Sequence, residues 1–181
     1  MTEEQFSLSM ERIRQKDKSA LKEIYEEYIG FVYHVVLDIV KSREAAEDIT
    51  SEFFIKLWEK ADQYRNGNGH KGYLATIARN MAIDYIRKNK HEELTIDRED
   101  ENIISTEVSS MEKTPEDEVV GEISVEQALN KLKPVYRQIV TMKVLGDMTF
   151  KEIATSLNIP IGTVTWNYQD AIKQLRRLGY E

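Results

Sequence analysis

The chain has 181 residues, 41% of them hydrophobic and 31% charged, which is typical of a soluble globular protein with one medium or two small domains. Glycine (8) and proline (3) are scarce, which disfavours a turn-rich β-sandwich and favours long helices. The absence of cysteine excludes a disulfide framework and a thiolate metal site. Since the sequence also shows no membrane-length apolar run and no signal peptide, we expect a cytoplasmic protein.

The first half of the chain predicts three long helices. Apolar residues recur every three or four positions from Leu21 to Ile39, as on one face of an amphipathic helix. Ser42 can cap a second helix, with Glu44 in the first turn, where the helix dipole favours negative charge. A third helix follows the turn signal NGNG at residues 66–69. The stripes that we expect to be buried are Ala45, Ile49, Phe53 and Leu57 on the second helix and Leu74, Ile77, Ala78, Met81 and Tyr85 on the third.

The outer faces of the second and third helices carry polar side chains. On the second helix these are mostly acidic and lie beside Phe54 and Trp58, so a solvated face next to two core aromatics is the favoured interpretation when it is taken alone. The third helix has basic and amide groups that can track nucleic acid, although many solvated faces have this composition. The residues are Asp48, Glu52, Lys56 and Glu59 on the second helix and Arg79, Asn80, Asp84, Arg87 and Lys88 on the third.

The negative charge of the chain is concentrated in its middle. The net charge of −7 divides into zero over residues 1–90, −10 over residues 91–123 and +3 over residues 124–181. The middle segment has little periodicity, and Pro115 beside an acidic run suits an extended, self-repelling tether. We therefore expect a flexible acidic linker at residues 91–123 between two helical domains, residues 1–90 and residues 124–181.

The second domain is predicted to end in two helices joined by a tight turn. A short amphipathic helix near residues 125–132 comes first, and another runs from Pro134 to near Gly146. Thr149 and Glu152, three residues apart, match the capping box of the next helix. A break at residues 158–160 separates it from the last helix, which begins around Gly162. The sequence contains no convincing strand, so we expect an all-α fold of two small helical domains.

The final helix pair fits a DNA-binding helix-turn-helix, whose second helix enters the major groove by its N-terminal residues. Hydroxyl and amide groups near its start can reach phosphates or base edges, and the basic residues at its end can neutralise phosphates. A plain helical hairpin with a solvated outer face is the alternative. The positions that we expect to face outward are Thr163, Thr165, Trp166, Asn167, Gln169, Asp170, Lys173, Arg176 and Arg177.

Two stretches together resemble the sigma factors of bacterial RNA polymerase. AEDITSEFFIKLWE followed by YLATIARNMAIDYIRKNK is similar to sigma region 2, and LKPVYRQIVTMKVLGDMTFKEIATSLNIPIGTVTWNYQDAIKQLRRL is similar to sigma region 4. The short acidic linker and the lack of a region 3 domain resemble the compact extracytoplasmic-function (ECF) group of the sigma-70 family. The likeness covers roughly residues 19–90 and 124–178 and consists of two unrelated helical modules in the expected order.

The resemblance implies a non-enzymatic promoter-specificity subunit that has no cofactor, no metal and no small-molecule substrate. It implies as partners core RNA polymerase, through the β′ clamp helices and the β subunit, promoter DNA, and an anti-sigma factor, which in the family is often membrane-anchored. The free chain is expected to be monomeric. The implied core-binding residues are Asp48, Glu52, Phe53, Phe54, Lys56, Leu57 and Trp58. The residues implied for the downstream, minus-ten element are Tyr64, Asn68, Tyr73, Arg79, Asn80, Asp84, Arg87 and Lys88.

The last helix would read the upstream, minus-thirty-five element with the outward positions named above. Tyr73 stands where the family often has tryptophan, so a large aromatic is kept. The outer face of the last helix departs further, because the family often has arginines where this chain has Asp170 and neutral polar residues. The alternative to a sigma factor is a helix-turn-helix regulator that binds duplex DNA without polymerase.

Overall fold

The computed structural model describes residues 1–65, 69–96 and 125–179. These residues form α-helices and one short 3₁₀ turn with no strand among them, as the all-α prediction requires. α4 continues six residues beyond the predicted domain end at residue 90, through a stretch rich in helix-forming Glu and Leu. The elements are α1 (Glu3–Arg14), α2 (Lys18–Val40), α3 (Arg43–Glu59), the 3₁₀ turn (Ala61–Gln63), α4 (His70–Ile96), α5 (Val125–Asn130), α6 (Pro134–Val144), α7 (Phe150–Leu157) and α8 (Ile161–Arg177).

The first helix, α1, is absent from the sequence prediction. It begins at a capping box in which the Thr2 side chain accepts from the backbone NH of Gln5 and the Gln5 side chain accepts from that of Thr2. Phe6, Met10 and Ile13, spaced four and three residues apart, are fully buried against the rest of the N-terminal half. The capping-box residues and the apolar spacing can both be seen in the sequence.

The local signals of α3 and α7 act as predicted. The Ser42 hydroxyl accepts from the backbone NH of Ala45 at 3.2 Å, and the stripe from Ala45 to Leu57 is buried. Thr149 and Glu152 form both halves of a capping box, and α7 ends at Asn158 in the left-handed conformation (φ 54°). Pro134 occupies the first turn of α6, where its missing NH removes no helical hydrogen bond.

The N-terminal and C-terminal halves share one hydrophobic core. Residues of α6 to α8 join the same buried cluster as residues of α2 and α4, so that α6 packs on α2 and α7 packs on α4. Phe31 and Gly146 meet so closely that a Cβ on Gly146 would lie 2.6 Å from the Phe31 ring. We call this packing of the two halves the closed arrangement. The C-terminal residues in the shared core are Ile139, Met142, Met148, Ile153, Leu157 and Val164.

A buried polar cluster of Asp38, Arg137 and Thr141 lies inside this contact. The Thr141 hydroxyl donates to Asp38 Oδ2 at 2.6 Å, and Arg137 Nε lies 3.8 Å from Asp38 Oδ1. Burial raises the pKa of Asp38, against the opposing effects of the Thr141 hydrogen bond and the positive charge of Arg137. Of the groups that favour the ionised carboxylate, the two with the largest effects, Thr141 and Arg137, come from the C-terminal half.

Candidate polymerase and nucleic-acid interface

The outer face of α3 carries the acidic residues predicted to bind polymerase. Asp48 and Glu52 are exposed, and Glu52 forms an ion pair with Lys56 one turn later at 3.0 Å. Ile55, 57% exposed, adds an apolar group beside them. Trp58 is partly buried, with the Lys16 ammonium 5.4 Å from its ring centre. This face combines negative charge with exposed apolar area, as interface centres and rims do.

Three residues predicted to contact polymerase lie in the core instead. Phe53, Phe54 and Leu57 are between 0 and 4% exposed, as the predicted buried stripe requires for Phe53 and Leu57, so their side chains are not available to a partner in this structure. Phe53 and Leu57 continue the buried stripe of Ala45 and Ile49 at intervals of four. Phe54 turns inward beside Phe53 and meets Tyr25 edge to face. These side chains hold α3 in place, and Asp48, Glu52, Lys56 and Trp58 remain as surface candidates.

The outward side of α4 presents a mixed polar surface. Asn80, Asp84, Arg87 and Lys88 are exposed, and Asp84 pairs with Arg87 at 3.7 Å. Tyr73 and Arg79 are partly buried. Arg79 Nε is a buried donor with no acceptor among the described residues. The predicted minus-ten residue Asn68 lies outside the described residues.

Tyr64, which the resemblance implies in contact with the minus-ten strand, is 3% exposed, so its ring is not available to DNA in this structure. Its ring packs edge to face against Phe6 of α1 and Tyr73 of α4. Its hydroxyl donates to Glu3 Oε1 at 3.1 Å. The cause is α1, which the sequence prediction did not include and which covers this ring.

One flank of the α4 surface is covered by the helix-turn-helix. The Ser156 hydroxyl of α7 donates to the Gly72 carbonyl at 3.4 Å and lies 3.5 Å from the Thr76 hydroxyl. Gly69 has φ +76°, which favours glycine, and a Cβ there would have to displace the Glu152 carboxylate. In the closed arrangement α7 therefore lies against the first turns of α4.

The outer face of α8 is polar at its start and basic at its end. Thr163, Trp166, Gln169, Lys173, Arg176 and Arg177 are exposed, with Trp166 at 62%. Thr165 is partly exposed, and its hydroxyl donates back to the Ile161 carbonyl at 3.0 Å. The Trp166 ring stands edge-on to Tyr136 of α6, with centroids 6.5 Å apart.

Two residues of this face behave differently from the prediction. Asn167 is 7% exposed, because it lies on the buried stripe between Val164 and Ala171, so its predicted outward direction is wrong. Asp170 is held from two sides. Its carboxylate accepts from Gln174 Nε2 at 2.9 Å. Tyr136 is hydrogen-bonded to the same carboxylate, and burial of Tyr136, this hydrogen bond and the negative charge of Asp170 raise the pKa of the Tyr136 hydroxyl. Tyr136, which orients Asp170 from another helix, carries no sequence signal that would have indicated this role.

The family comparison matches both halves in order. Residues 24–92 match sigma-70 region 2, and residues 122–175 match sigma-70 region 4. A region 2 followed by a region 4 defines a sigma factor, and the chain belongs to the sigma-70 family of RNA polymerase sigma factors. A regulator carrying only a helix-turn-helix is not favoured, because the first match covers most of the N-terminal half.

Relatives matched along most of their length place the chain in the ECF group of this family. The ECF RNA polymerase sigma factor SigW of Bacillus subtilis is 29% identical over 178 residues, covering 93% of this chain and 93% of that protein. SigM of the same organism, also an ECF RNA polymerase sigma factor, is 29% identical over 139 residues, covering 77% of this chain and 82% of its own length.

Two solved structures share the fold. The sigma factor RpoE of Bartonella quintana, solved with the anti-sigma factor NepR, has a TM-score of 0.62 at 21% identity, covering 87% of this chain and 94% of that chain. CnrH, solved with the cytosolic domain of CnrY, has a TM-score of 0.63 at 15% identity, covering 96% of each chain. Among the described residues of the present chain, no helix has the length and apolar character needed to cross a membrane.

Proposed function

We propose that this sigma factor docks on core RNA polymerase through α3, captures the minus-ten strand on α4 and reads the minus-thirty-five element with α8. The observation that carries the proposal is the exposure of a distinct polar face on each of these helices, within modules that match regions 2 and 4. We retain residues 1–90, 91–123 and 124–181 as its core-binding, linker and upstream-reading domains. The chain supplies specificity, and the polymerase supplies the chemistry.

Docking through α3 rests on charge and apolar area together. Asp48 and Glu52 offer carboxylates to a basic partner surface, and Ile55 and Trp58 offer apolar contact beside them. In the closed arrangement the contact between the two halves leaves these acidic side chains exposed. The partner that fits is a helical polymerase surface with basic side chains.

Strand capture on α4 rests on one aromatic residue and the polar residues that follow it. Single-stranded DNA binds where bases can stack on aromatic rings and phosphates meet cations. Tyr73 supplies the ring, Asn80 an amide, and Arg79, Arg87 and Lys88 the charge.

Duplex reading by α8 rests on its polar start and basic end. No described side chain caps its N-terminus, which begins after Pro160, so its first NH groups can donate to a backbone phosphate. Gln169 can reach base edges, and Lys173, Arg176 and Arg177 can neutralise phosphates. Trp166 offers an exposed ring to a sugar or a thymine methyl group.

The closed arrangement cannot serve both promoter elements at once. Elements named minus-ten and minus-thirty-five are about 25 base pairs apart, or about 85 Å at ~3.4 Å per base pair. A compact chain of this length has a radius of gyration of about 16 Å and a diameter of about 40 Å. Residues 97–124, fully extended, could bridge about 90 Å. We infer that α6 to α8 leave α2 and α4 when promoter DNA is bound.

A solved structure of similar fold supports a partner for this chain. RpoE of Bartonella quintana was solved with an anti-sigma factor and shares this fold, and we propose that an anti-sigma factor also binds this chain. We further propose a cytoplasmic location, where core polymerase and promoter DNA are found.

The deciding experiment is reconstitution with purified core polymerase and run-off transcription on genomic fragments, with transcript starts mapped to define both promoter elements. We expect transcripts whose start sites share two upstream sequence elements. Failure of the chain to associate with core polymerase would contradict the proposal, whereas duplex binding without polymerase would favour the regulator alternative.

Replacing Asp170 with asparagine is expected to strengthen upstream-element binding about threefold to tenfold at low salt, with a smaller gain at high salt. Asparagine keeps an acceptor for Tyr136 and Gln174 and removes only the charge. Run-off transcription by the holoenzyme at limiting promoter concentration, at two salt concentrations, measures the effect. The control is Asp147→Asn. Asp147 is exposed and, among the described residues, forms only a surface ion pair with Lys71, whereas Glu152 forms the cap of α7. Equal affinity of D170N and wild type would show that Asp170 stays far from DNA.

A further inference from the structure

Helix α1 holds the first residue of α4 through Glu3. Glu3 Oε2 accepts from the His70 backbone NH at 2.7 Å and lies 2.5 Å from His70 Nδ1. On the other side of the ring, His70 Nε2 lies 2.6 Å from the Tyr28 hydroxyl. A neutral ring with its proton on Nδ1 satisfies both contacts, donating to Glu3 and accepting from Tyr28. His70 is buried, and its ring stacks on Phe6 of α1 with centroids 4.8 Å apart.

Glu3 is ionised in this position at neutral pH. Partial burial raises the pKa of its carboxyl, but hydrogen bonds from the His70 backbone, the His70 ring and the Tyr64 hydroxyl lower it further than burial raises it. A carboxylate that accepts the first backbone NH of a helix acts as an N-cap residue does, although here it comes from a different helix.

The other end of α1 holds the segment that precedes α4. Arg14 Nε donates to the Ala61 carbonyl at 3.2 Å, and its Nη2 donates to the Tyr64 carbonyl at 2.8 Å. α1 therefore fixes the backbone at Tyr64 and at His70, on both sides of the connection between α3 and α4. The residues that match sigma-70 region 2 begin at residue 24, after α1 has ended.

The two positions that α1 holds, Tyr64 and His70, both lie next to Tyr73. Tyr73 lies one turn after His70, and its ring meets the ring of Tyr64 edge to face at 5.0 Å. The Tyr64 hydroxyl in turn donates to the same Glu3 carboxylate at 3.1 Å. One carboxylate thus sets the start of α4 and the ring against which Tyr73 rests.

We propose that Glu3 is a positioning residue for promoter opening: together with His70, Tyr28 and Tyr64 it fixes the orientation in which Tyr73 meets an unpaired base of the minus-ten strand. The proposal rests on the proposed role of α4. Its physical basis is that stacking requires a ring of fixed direction, and a free ring would lose rotational freedom on binding.

The test uses the 181-residue chain with Glu3→Ala, and Glu4→Ala is the matched control on the exposed side of the same first turn. Each is assembled with core polymerase, and two affinities are measured: that of the chain for core, and that of the holoenzyme for a single-stranded minus-ten oligonucleotide. We expect the oligonucleotide affinity of the Glu3 variant to fall about tenfold, with core affinity within twofold of wild type. Phe6, Met10 and Ile13 stay in place to hold α1.

A second variant, Tyr28→Phe, removes only the hydroxyl that meets His70 and is expected to give a smaller loss in the same direction. Parallel loss of core affinity and oligonucleotide affinity would show general destabilisation and overturn the proposal, as would an oligonucleotide affinity equal to that of the Glu4 control. Tyr73→Ala tests the proposed α4 site independently of Glu3. If this variant binds the oligonucleotide as wild type does, the proposed strand-binding role of α4 is wrong, whatever the effect of Glu3→Ala.

Discussion

Asp38→Ala is expected to separate the two halves of the free chain and to raise its radius of gyration above the ~16 Å of a compact chain of this length. The substitution leaves Arg137 buried without its carboxylate partner and Thr141 without its acceptor. Losses of this kind weaken a contact by about 2–4 kcal/mol. The shared apolar core around Phe31 and Gly146 opposes separation, so we expect the substitution to shift the free chain towards the open form and not to open every molecule. Small-angle scattering of the free chain measures the separation.

The control for this prediction is Asp62→Ala, which removes an exposed aspartate from the same half of the chain. Thr141→Val keeps volume but removes the hydroxyl, so it should open the chain in the same direction by a smaller amount. The surface pairs Arg43–Glu126 and Lys71–Asp147 also join the halves, but solvent screens exposed pairs, so they contribute little to the contact. A scattering profile of D38A that superposes on that of wild type would show that apolar packing alone determines the closed arrangement.

The signals that the sequence shows clearly are local ones. The Ser42 cap, the Thr149–Glu152 capping box and the three-and-four spacing of the α3 stripe each involve residues within a few positions of one another. Their partners are fixed by helix geometry, so the pattern alone predicts them. The same kind of signal, Thr2 with Gln5 before Phe6 and Met10, would also have predicted α1.

The contact between the halves could not be predicted in this way. Phe31 meets Gly146, and Asp38 meets Thr141, across more than a hundred residues of chain. On the sequence, Asp38 is simply a charged residue in an apolar helix. Nothing in the periodicity of α2 indicates that a second domain covers one of its sides.

Family resemblance predicts where a site lies better than it predicts which side chains form its surface. It places core binding on α3, yet Phe53 and Leu57 within that motif are core residues. Tyr64 falls inside the predicted minus-ten region but is covered by α1. A motif combines residues kept for packing with residues kept for contact, and separating them needs the burial of each side chain.

Asp48→Lys combined with Glu52→Lys is expected to reduce promoter-directed run-off transcription by more than about 100-fold. Both carboxylates are exposed, so reversal changes the charge of the docking face without altering the core. Like charges placed together at an interface raise its free energy by several kcal/mol, and each ~1.4 kcal/mol is a tenfold change in affinity. The loss of the Glu52–Lys56 ion pair affects stability by less than about 1 kcal/mol. Run-off yield and affinity for core polymerase are the measurements, with circular dichroism as the check on folding.

A charge-matched control, Glu4→Lys with Glu26→Lys, reverses two exposed carboxylates on α1 and α2 and should transcribe as wild type does.

The charge reversal on α3 and the opening by Asp38→Ala can be tested independently, because Asp48 and Glu52 are exposed even while the two halves are packed together. Docking through α3 can therefore precede opening. It follows that adding Asp38→Ala to the charge-reversed chain should open it without restoring transcription. If adding Asp38→Ala restored transcription to the charge-reversed chain, the core-binding surface would lie under α6 and α7 instead of on α3.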